Sequence, residues 1–173
     1  NVSHELRTPV TTIKGFIETL KEGAIDDPKN AERFLNIITK HINRLNLLID
    51  DLLTLSKLEQ KPDEIKTASE NISMLLRSVA EDYEFKANEK KTTLNIKCDE
   101  KLTANINKHL LEQAIGNLVD NAIKYSDKKT EIEIGAYEKD RQLCIYVKDD
   151  GYGITDDHMP RLFERFYRVD KGR

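Results

Sequence analysis

Residues 1–24 carry the pattern that decides the first part of the fold, and they read NVSHELRTPVTTIKGFIETLKEGA. Their apolar residues recur every three or four positions, at Leu6, Val10, Ile13, Ile17, Leu20 and Ala24. This spacing is typical of an amphipathic helix with a single apolar stripe. The stripe therefore predicts a first helix that packs along one side and leaves the other side to solvent.

A second apolar stripe follows after a break at residues 25–30. Asp27 and Pro28 predict the start of the next helix, with Asp27 as the N-cap and proline in the first helical position. The apolar positions are then Leu35, Ile38, Ile42, Leu45, Ile49 and Leu52, widened by Leu48 and Leu55. Two long helices with a short connection form an antiparallel hairpin. Because the second helix has a broad apolar face, we expect homodimerisation to complete a four-helix bundle.

Composition restricts the class of protein. The 173 residues include 28 basic and 31 acidic side chains and have a formal net charge of −3, so no overall positive field predicts nucleic-acid binding. No apolar run approaches the roughly 20 residues of a membrane-spanning helix, and no signal-peptide pattern opens the chain. Cys98 and Cys144 lie in strand-like segments, which predicts reduced thiols of a cytosolic protein.

From residue 65 the pattern changes to mixed helices and strands. It predicts helices over roughly 71–90, 108–126 and 157–168, and strands near 93–98, 103–106, 131–138 and 142–148. In the last strand Leu143, Ile145 and Val147 alternate with Cys144, Tyr146 and Lys148. This order favours an α+β sandwich with one helical layer over an antiparallel-rich sheet.

The first group of residues that could carry chemistry is Ser3-His4-Glu5-Leu6-Arg7-Thr8-Pro9. With Leu6 at the centre of the buried stripe, His4 lies about 160° away on the solvent face, and Thr8 shares that face. Glu5 could take the proton of one imidazole nitrogen while the other nitrogen acts as a nucleophile. Pro9 predicts a kink one turn beyond His4. A surface histidine without function is the alternative for this heptapeptide alone.

A second group lies on the helix predicted over 108–126 and comprises Asn117-Leu118-Val119-Asp120-Asn121-Ala122-Ile123-Lys124-Tyr125. We expect the buried face of this helix to contain Leu111, Ile115, Leu118 and Ala122. Asn117, Asn121 and Lys124 fall within about 60° of one another on a different face. Amide oxygens are hard ligands for Mg²⁺, and a lysine neutralises phosphate charge. A merely polar helix face is the alternative.

A glycine turn, Asp149-Asp150-Gly151-Tyr152-Gly153-Ile154, directly follows the last predicted strand. Its D-x-G-x-G pattern places a carboxylate at a strand end, before two positions where backbone can approach a flat ligand closely. Such a carboxylate can accept a hydrogen bond from an adenine amino group, and an ordinary glycine turn is the alternative. Neither G-x-x-x-x-G-K-[ST] nor G-x-G-x-x-G occurs, which excludes P-loop and Rossmann sites.

A fourth group, Leu162-Phe163-Glu164-Arg165-Phe166-Tyr167-Arg168, has aromatic residues at a spacing that usually indicates core packing. In this order the four groups resemble the catalytic core of a sensor histidine kinase of two-component signalling, over essentially the whole chain. Residues 3–9 resemble the family's H box with its phosphoacceptor histidine, 117–125 its N box, 149–154 its G1 box and 163–168 its F box. Residues 165–171 and 13–16 are similar to phosphate-regulon sensor kinases of Gram-positive bacteria.

The resemblance implies two domains and a linker. Residues 1–62 would form the dimerisation and histidine phosphotransfer domain, residues 63–66 the linker, and residues 67–173 a Bergerat-type α/β sandwich that binds ATP. It further implies nucleotide-binding roles for Asn117, Asn121, Lys124, Tyr125, Asp149, Gly151, Gly153 and Arg168. Asp149 would accept the adenine amino group beside the two glycines, and Asn121, assisted by Asn117, would hold Mg²⁺. Lys124 and Tyr125 would contact phosphate or ribose, and Arg168 the γ-phosphate.

The resemblance also implies a reaction and its partners. His4 would take the γ-phosphoryl group of Mg-ATP and pass it to an aspartate of a response regulator, with Glu5 accepting or stabilising the proton on the other ring nitrogen. Thr8 would orient a water for dephosphorylating that regulator, making the enzyme bifunctional. The expected partners are a second copy and the regulator, with no nucleic acid. A membrane is expected only through segments outside these residues, which makes the chain a cytoplasmic domain of a bacterial cell-membrane protein.

Two departures from the family's pattern stand out. A second glycine-rich box, G-x-G-x-G-like, is expected after the F box and is not present before Arg173. We therefore expect a fragment whose ATP-binding domain is C-terminally incomplete. A catalytically incompetent dimeric scaffold that docks a regulator, and a Bergerat-type ATPase without phosphohistidine chemistry, remain alternatives. Asn107 stands where aspartate is usual before the N-box helix, and as an N-cap asparagine serves about as well.

Overall fold

The computed structural model describes residues 2–60, 64–164 and 167. By their internal contacts the described residues form two compact units, one from residues 2–60 with 155–164 and 167, and one from residues 64–154. The first unit is helical and the second contains helices and strands. The limits of the domains and of the linker inferred from the sequence stay a prediction.

The helical unit contains the predicted hairpin. Helix α1 spans Val2–Lys21, and helix α2 spans Pro28–Gln60 after a short connection with a 3₁₀ turn at Ala24–Asp26. Asp27 caps α2, because its Oδ1 accepts a hydrogen bond from the backbone N–H of Lys29 at 3.0 Å. The predicted cap, with Pro28 in the first helical position, is therefore confirmed.

The two helices pack through apolar side chains, but the predicted stripe on α1 is covered only in part. Leu20 and Ile38 are buried, and the rings of Phe16 and Phe34 lie 5.2 Å apart. Val10 and Ile17, which the spacing places in the same stripe as Leu20, are 52% and 44% exposed. One hairpin therefore leaves apolar surface that a single copy of the chain does not bury.

The α/β unit has seven elements among its described residues: β1 Ala68–Asn71, α3 Ile72–Glu89, β2 Thr93–Cys98, β3 Thr103–Ile106, α4 Lys108–Tyr125, β4 Glu131–Lys139 and β5 Gln142–Lys148. Strand β4 is central in a three-stranded sheet and pairs parallel with β2 and antiparallel with β5. Strands β1 and β3 pair antiparallel in a separate two-stranded sheet. The larger sheet is thus mixed, and two of the three strand pairings among the described residues are antiparallel, in agreement with the antiparallel-rich arrangement that the sequence indicated.

The core of this unit lies between the two helices and the three-stranded sheet. Its largest fully buried side chains are Ile72, Leu76, Ile115, Val119, Ile123, Ile132 and Ile134. On β5 the predicted alternation is confirmed, since Leu143, Ile145 and Val147 pack against this core. The α+β fold with a helical hairpin followed by an α/β sandwich is therefore the fold that the sequence predicted.

Three local predictions were wrong or incomplete. Strand β1 was missed because its sequence, ASEN, is polar and has no apolar alternation. The helix predicted over 157–168 is, among the described residues, only a 3₁₀ turn at Met159–Arg161. Phe163 is 96% exposed, so its ring is not in a core and cannot hold a helix by packing. Leu118 is 50% exposed, and Val119 and Ile123 take its place on the buried face of α4.

Candidate functional site

His4 is exposed near the start of α1, and Glu5 and Thr8 stand beside it. Glu5 is half-buried, and its Oε2 lies 3.4 Å from Nη2 of Arg44 on α2. Thr8 is exposed, and its hydroxyl donates a hydrogen bond to the backbone carbonyl of His4 at 3.0 Å. The structure therefore brings together the three residues that the sequence placed in the first group.

Pro9 lies inside α1 and is buried. A proline has no N–H, so the carbonyl of Glu5, four residues earlier, lacks its usual helical donor. The kink expected from this position stays a prediction. Arg44 was missed by sequence reasoning, because only the pairing of the two helices brings its guanidinium to Glu5.

The exposed face of α4 carries the polar residues predicted for it. Asn117, Asn121 and Lys124 are all exposed, and Tyr125 is half-buried in the last position of the helix. Asn107 begins the helix as its N-cap, accepting a hydrogen bond from the backbone N–H of Leu110 at 3.1 Å. The predicted cap is thus confirmed, and two amides and one ammonium lie on one open helical face.

The glycine turn begins directly after β5. Oδ1 of Asp149 accepts a hydrogen bond from the backbone N–H of Gly151 at 2.8 Å, which fixes the carboxylate against the turn. A Cβ placed on Gly151 would lie 2.6 Å from that Oδ1 and 3.0 Å from the carbonyl oxygen of Tyr125. Gly153 has a φ of +70°, a conformation that favours glycine. A side chain at Gly151 would therefore crowd the turn, and one at Gly153 would strain its backbone.

The end of α4 and the glycine turn meet at two tyrosines. The rings of Tyr125 and Tyr152 lie 5.8 Å apart at an interplanar angle of 81°, an edge-to-face contact. The ammonium of Lys124 lies 4.8 Å from the centre of the Tyr125 ring. The structure thus joins the second and third groups of the sequence, while Arg168 lies outside the described residues.

Burial, hydrogen bonds and neighbouring charges shift the pKa values of a few side chains among the described residues. Burial raises the pKa of Tyr83, which faces α4, and the nearby carboxylate of Asp120 raises it further. Asp120 itself forms an ion pair with Lys86 of α3. In the segment after the turn, hydrogen bonds from Arg161 lower the pKa of Glu164.

The residues that the sequence proposed as metal ligands, Asn117 and Asn121, offer amide oxygens. Within residues 2–60, 64–164 and 167, no group of three or more His, Cys, Asp or Glu side chains could hold a metal ion. Mg²⁺ bound with a nucleotide takes only one or two protein ligands together with phosphate oxygens and waters. The exposed amides of Asn117 and Asn121 fit that requirement.

Two family models match the two segments of the chain that contain these candidate site residues. Residues 1–61 match the His Kinase A (phospho-acceptor) domain, and residues 106–173 match the histidine kinase-, DNA gyrase B- and HSP90-like ATPase. The chain belongs to the sensor histidine kinases. The family resemblance inferred from the four sequence groups is thereby confirmed.

Similar proteins agree with this assignment. The chain is 36% identical to the sensor protein kinase WalK of Staphylococcus aureus over 177 aligned residues, and 34% identical to that of Staphylococcus epidermidis over 175. These alignments cover all of this chain but only 42% and 28% of the two relatives. The chain therefore spans less than half the length of the curated relatives it matches.

Solved structures of histidine kinases share the fold. The histidine kinase AdeS of Acinetobacter baumannii has a TM-score of 0.79 at 24% identity, covering 93% of this chain and 78% of that one. Histidine kinase ThkA, solved in complex with response regulator protein TrrA, has a TM-score of 0.79 at 26% identity, covering 96% of this chain and 49% of that one. Across the part of the chain that the structure describes, no helix has the length and apolar character to cross a membrane.

Proposed function

We propose that this chain is the autophosphorylating core of a sensor histidine kinase, in which His4 takes the γ-phosphoryl group of Mg-ATP and passes it to an aspartate of a response regulator. The observation that carries the proposal is the exposed His4, with Glu5 and Thr8 beside it, inside the segment that matches the phospho-acceptor domain. That match also argues against an ATPase without phosphohistidine chemistry.

The nucleotide is held by the face that α4 and the glycine turn share. Asp149 accepts a hydrogen bond from the adenine amino group, and its carboxylate is already oriented by the N–H of Gly151. Gly151 and Gly153 have no side chain that would keep the backbone away from the flat base. A Cβ on Gly151 would in addition crowd the Asp149 carboxylate. Lys124 and Tyr125 contact the phosphates or the ribose from the end of α4.

Asn121, assisted by Asn117, supplies amide oxygens to Mg²⁺, which when bound neutralises charge on the phosphates. The ammonium of Lys124 adds a positive charge on the same open face. Arg168, whose place lies outside the described residues, is proposed as a γ-phosphate contact on sequence grounds alone. These groups work by positioning and charge neutralisation, which account for most of the catalysis in phosphoryl transfer.

The transfer forms a bond from one imidazole nitrogen of His4 to the γ-phosphorus and breaks the bond from that phosphorus to the β–γ bridging oxygen, so ADP leaves. The attacking nitrogen must carry a lone pair. Glu5 accepts or stabilises the proton on the other nitrogen and so balances the charge that develops on the ring. The ion pair with Arg44 restrains the Glu5 carboxylate beside His4.

The phosphoryl group then moves from His4 to a carboxylate oxygen of the regulator's aspartate. Histidine kinase ThkA shares the fold of this chain and was solved in complex with a response regulator protein. That complex supports a regulator as the partner. In the proposed phosphatase activity, Thr8 orients the water that attacks the aspartyl phosphate, which releases inorganic phosphate and leaves the free carboxylate. Its hydroxyl hydrogen is already donated to the His4 carbonyl, so its oxygen lone pairs point outward to accept from water.

A second copy of the chain completes the helical unit. Exposed apolar residues recur on the hairpin at seven-residue intervals, at Val10 and Ile17 on α1 and at Leu35, Ile42 and Ile49 on α2. Apolar positions repeated at this interval are typical of a helix-bundle seam. We therefore propose a homodimer in which these residues meet across a four-helix bundle.

The proposal assigns residues 1–62 to dimerisation and phosphotransfer, 63–66 to a linker and 67–173 to ATP binding. It places this core on the cytoplasmic side of a bacterial cell membrane, attached through segments outside these residues. Support comes from the relatives, which are sensor kinases of greater length than this chain. Fractionation of cells expressing the intact gene product tests the location, and recovery in the soluble fraction contradicts it.

The test of the central reaction is labelling of the chain and of the intact gene product with γ-phosphate-labelled ATP and Mg²⁺. For the intact gene product we expect a label that is removed by acid and stable in alkali. For the His4→Gln variant we expect no label. His109→Gln, which changes another histidine of the described chain, is the matched control and should keep the label.

A purified receiver domain added to the labelled protein should then acquire the label. Label that persists in His4→Gln contradicts the assignment of His4. A wild-type protein that binds a regulator but never acquires label is instead the docking scaffold, the second candidate for this chain.

A further inference from the structure

The C-terminal ends of α3 and α4 are joined by one lysine that lies outside all four sequence groups. Lys90 follows the last residue of α3, and its Nζ donates hydrogen bonds to three backbone carbonyls at the end of α4. The acceptors are Ile123 at 2.7 Å, Lys124 at 2.9 Å and Ser126 at 3.2 Å. An ammonium group has three donors, so this geometry uses all of them.

These carbonyls are the ones that the end of a helix leaves without an intrahelical donor. At the end of α4 the N–H of Ser126 donates a hydrogen bond to the carbonyl of Ala122 at 3.0 Å, and the carbonyls after Ala122 have no donor within the helix. The Lys90 ammonium donates hydrogen bonds to the carbonyls of Ile123 and Lys124. It also places a positive charge at the negative end of the helix dipole. The last turn of α4 is therefore capped by a residue from another helix.

The glycine turn also packs against this last turn of α4. The carbonyl of Tyr125 lies against Gly151, so close that a Cβ there would be 3.0 Å from its oxygen. Beyond the helix, the backbone N–H of Lys129 donates to the carbonyl of Lys90 at 3.2 Å. Lys90 and Gly151 therefore both contact the backbone at the end of α4, and Lys90 also pairs with Lys129.

We propose that Lys90 is a positioning residue for the phosphate and ribose end of the bound nucleotide. It acts through Lys124 and Tyr125, whose backbone it fixes, and does not itself touch the nucleotide. This inference rests on the proposed function, because it deepens the ATP site described above. When Lys90 is replaced, the last turn of α4 loses its cap and frays. Lys124 and Tyr125 then no longer keep their positions relative to the glycine turn.

Adenine recognition does not depend on Lys90 in the same way. Asp149 directly follows β5 and is oriented by the N–H of Gly151, whereas the three hydrogen bonds of the Lys90 ammonium go to other residues. The loss of Lys90 therefore weakens the binding of the phosphates more than the binding of the base. A lysine that served only the stability of the fold would weaken both equally or neither.

The experiment measures the affinities of ATP and adenosine for the intact gene product, by calorimetry, in the wild type, Lys90→Met and Lys86→Met. For Lys90→Met we expect the ATP affinity to fall on the order of tenfold while the adenosine affinity changes less than about twofold. Lys86→Met is the matched control, because Lys86 also bridges α3 to α4 but pairs with the Asp120 side chain and touches no carbonyl at the helix end. Its ratio of the two affinities should equal that of the wild type.

Hydrogen exchange gives a second readout, with faster exchange expected at residues 122–126 in Lys90→Met and not in Lys86→Met. If Lys90→Met does not fold, Lys90→Gln, which keeps two of the donors, replaces it and should show a smaller fall in the same ratio. An unchanged ratio of ATP to adenosine affinity in a folded Lys90 variant overturns the inference and leaves the proposed function standing. A wild type that binds no ATP overturns the proposed function itself.

Discussion

Glu5 and Arg44 form the ion pair that joins the two helices beside His4. Oε2 of Glu5 lies 3.4 Å from Nη2 of Arg44, and the Glu5 side chain is 30% exposed. Partly exposed pairs of this kind contribute about 0–1 kcal/mol to stability. The larger consequence is positional, because the pair restrains the carboxylate of the residue that follows the proposed nucleophile in sequence.

The first prediction concerns Arg44 as a positioning residue. Arg44→Gln should lower the maximal autophosphorylation rate by roughly three- to tenfold, since a misdirected Glu5 is a poorer proton acceptor. The KM for ATP should not change, because Arg44 is proposed to act only through Glu5, and Arg44→Lys should recover part of the rate. Lys14→Gln, which removes the exposed pair of Lys14 with Glu18, is the control. Equal maximal rates in wild type and Arg44→Gln contradict the role.

The second prediction separates the two activities through Thr8. Thr8→Ala should slow dephosphorylation of the regulator by about tenfold or more, because the attacking water loses its orientation. Labelling of His4 should persist in the same variant. Thr12→Ala is the matched control, because the Thr12 hydroxyl also donates a hydrogen bond to the carbonyl four residues earlier, at 3.1 Å. Phosphatase activity that survives in Thr8→Ala removes the proposed role.

The third prediction concerns the glycine turn. Gly151→Ala should raise the Kd for ATP at least about tenfold and destabilise the α/β unit by roughly 1–3 kcal/mol, because the new Cβ collides with Asp149 Oδ1 and approaches the Tyr125 carbonyl. Calorimetry and thermal unfolding measure the two effects. Gly15→Ala is the control, since a Cβ there meets nothing within 4 Å. Wild-type affinity in Gly151→Ala would show that this turn does not form the adenine site.

The fourth prediction concerns the exposed apolar residues of the hairpin. Ile42→Glu should convert the protein from dimer to monomer at micromolar concentration, because a charge in a bundle seam must be buried without a partner. Light scattering on a sizing column measures the mass. Lys40→Glu, a charge reversal at a neighbouring exposed position of α2, should leave the dimer intact. A wild type that is already monomeric contradicts the bundle.

The elements that the sequence predicted well are those that carry their own signal. The two long helices of the hairpin have sustained periodicity, and Asp27 and Asn107 are N-caps of standard chemistry. Strand β1 has no such signal, because its polar residues are held by pairing with β3, a contact distant in sequence. The helix expected over 157–168 rested on aromatic spacing, and the exposure of Phe163 removes the packing that the spacing implied.

In the candidate site, too, the sequence predicted the neighbours that are close in sequence and missed the contacts between distant residues. His4, Glu5 and Thr8 lie close along one helix, so spacing alone placed them together. The contact of Tyr125 with Tyr152 was not predicted, because it joins a helix end to a turn more than twenty residues later. Arg44 and Lys90 gave no local signal at all, since each acts across a helix pair that sequence periodicity does not align.

The most direct test of the account is the site of phosphorylation in the wild-type protein. The intact gene product is incubated with Mg-ATP, digested at neutral to alkaline pH and sequenced by tandem mass spectrometry. The account predicts one phosphoryl group on the imidazole of His4, absent when ATP is replaced by ADP. A phosphoryl group found instead on His41, His109 or His158, or on a hydroxyl side chain, would contradict it.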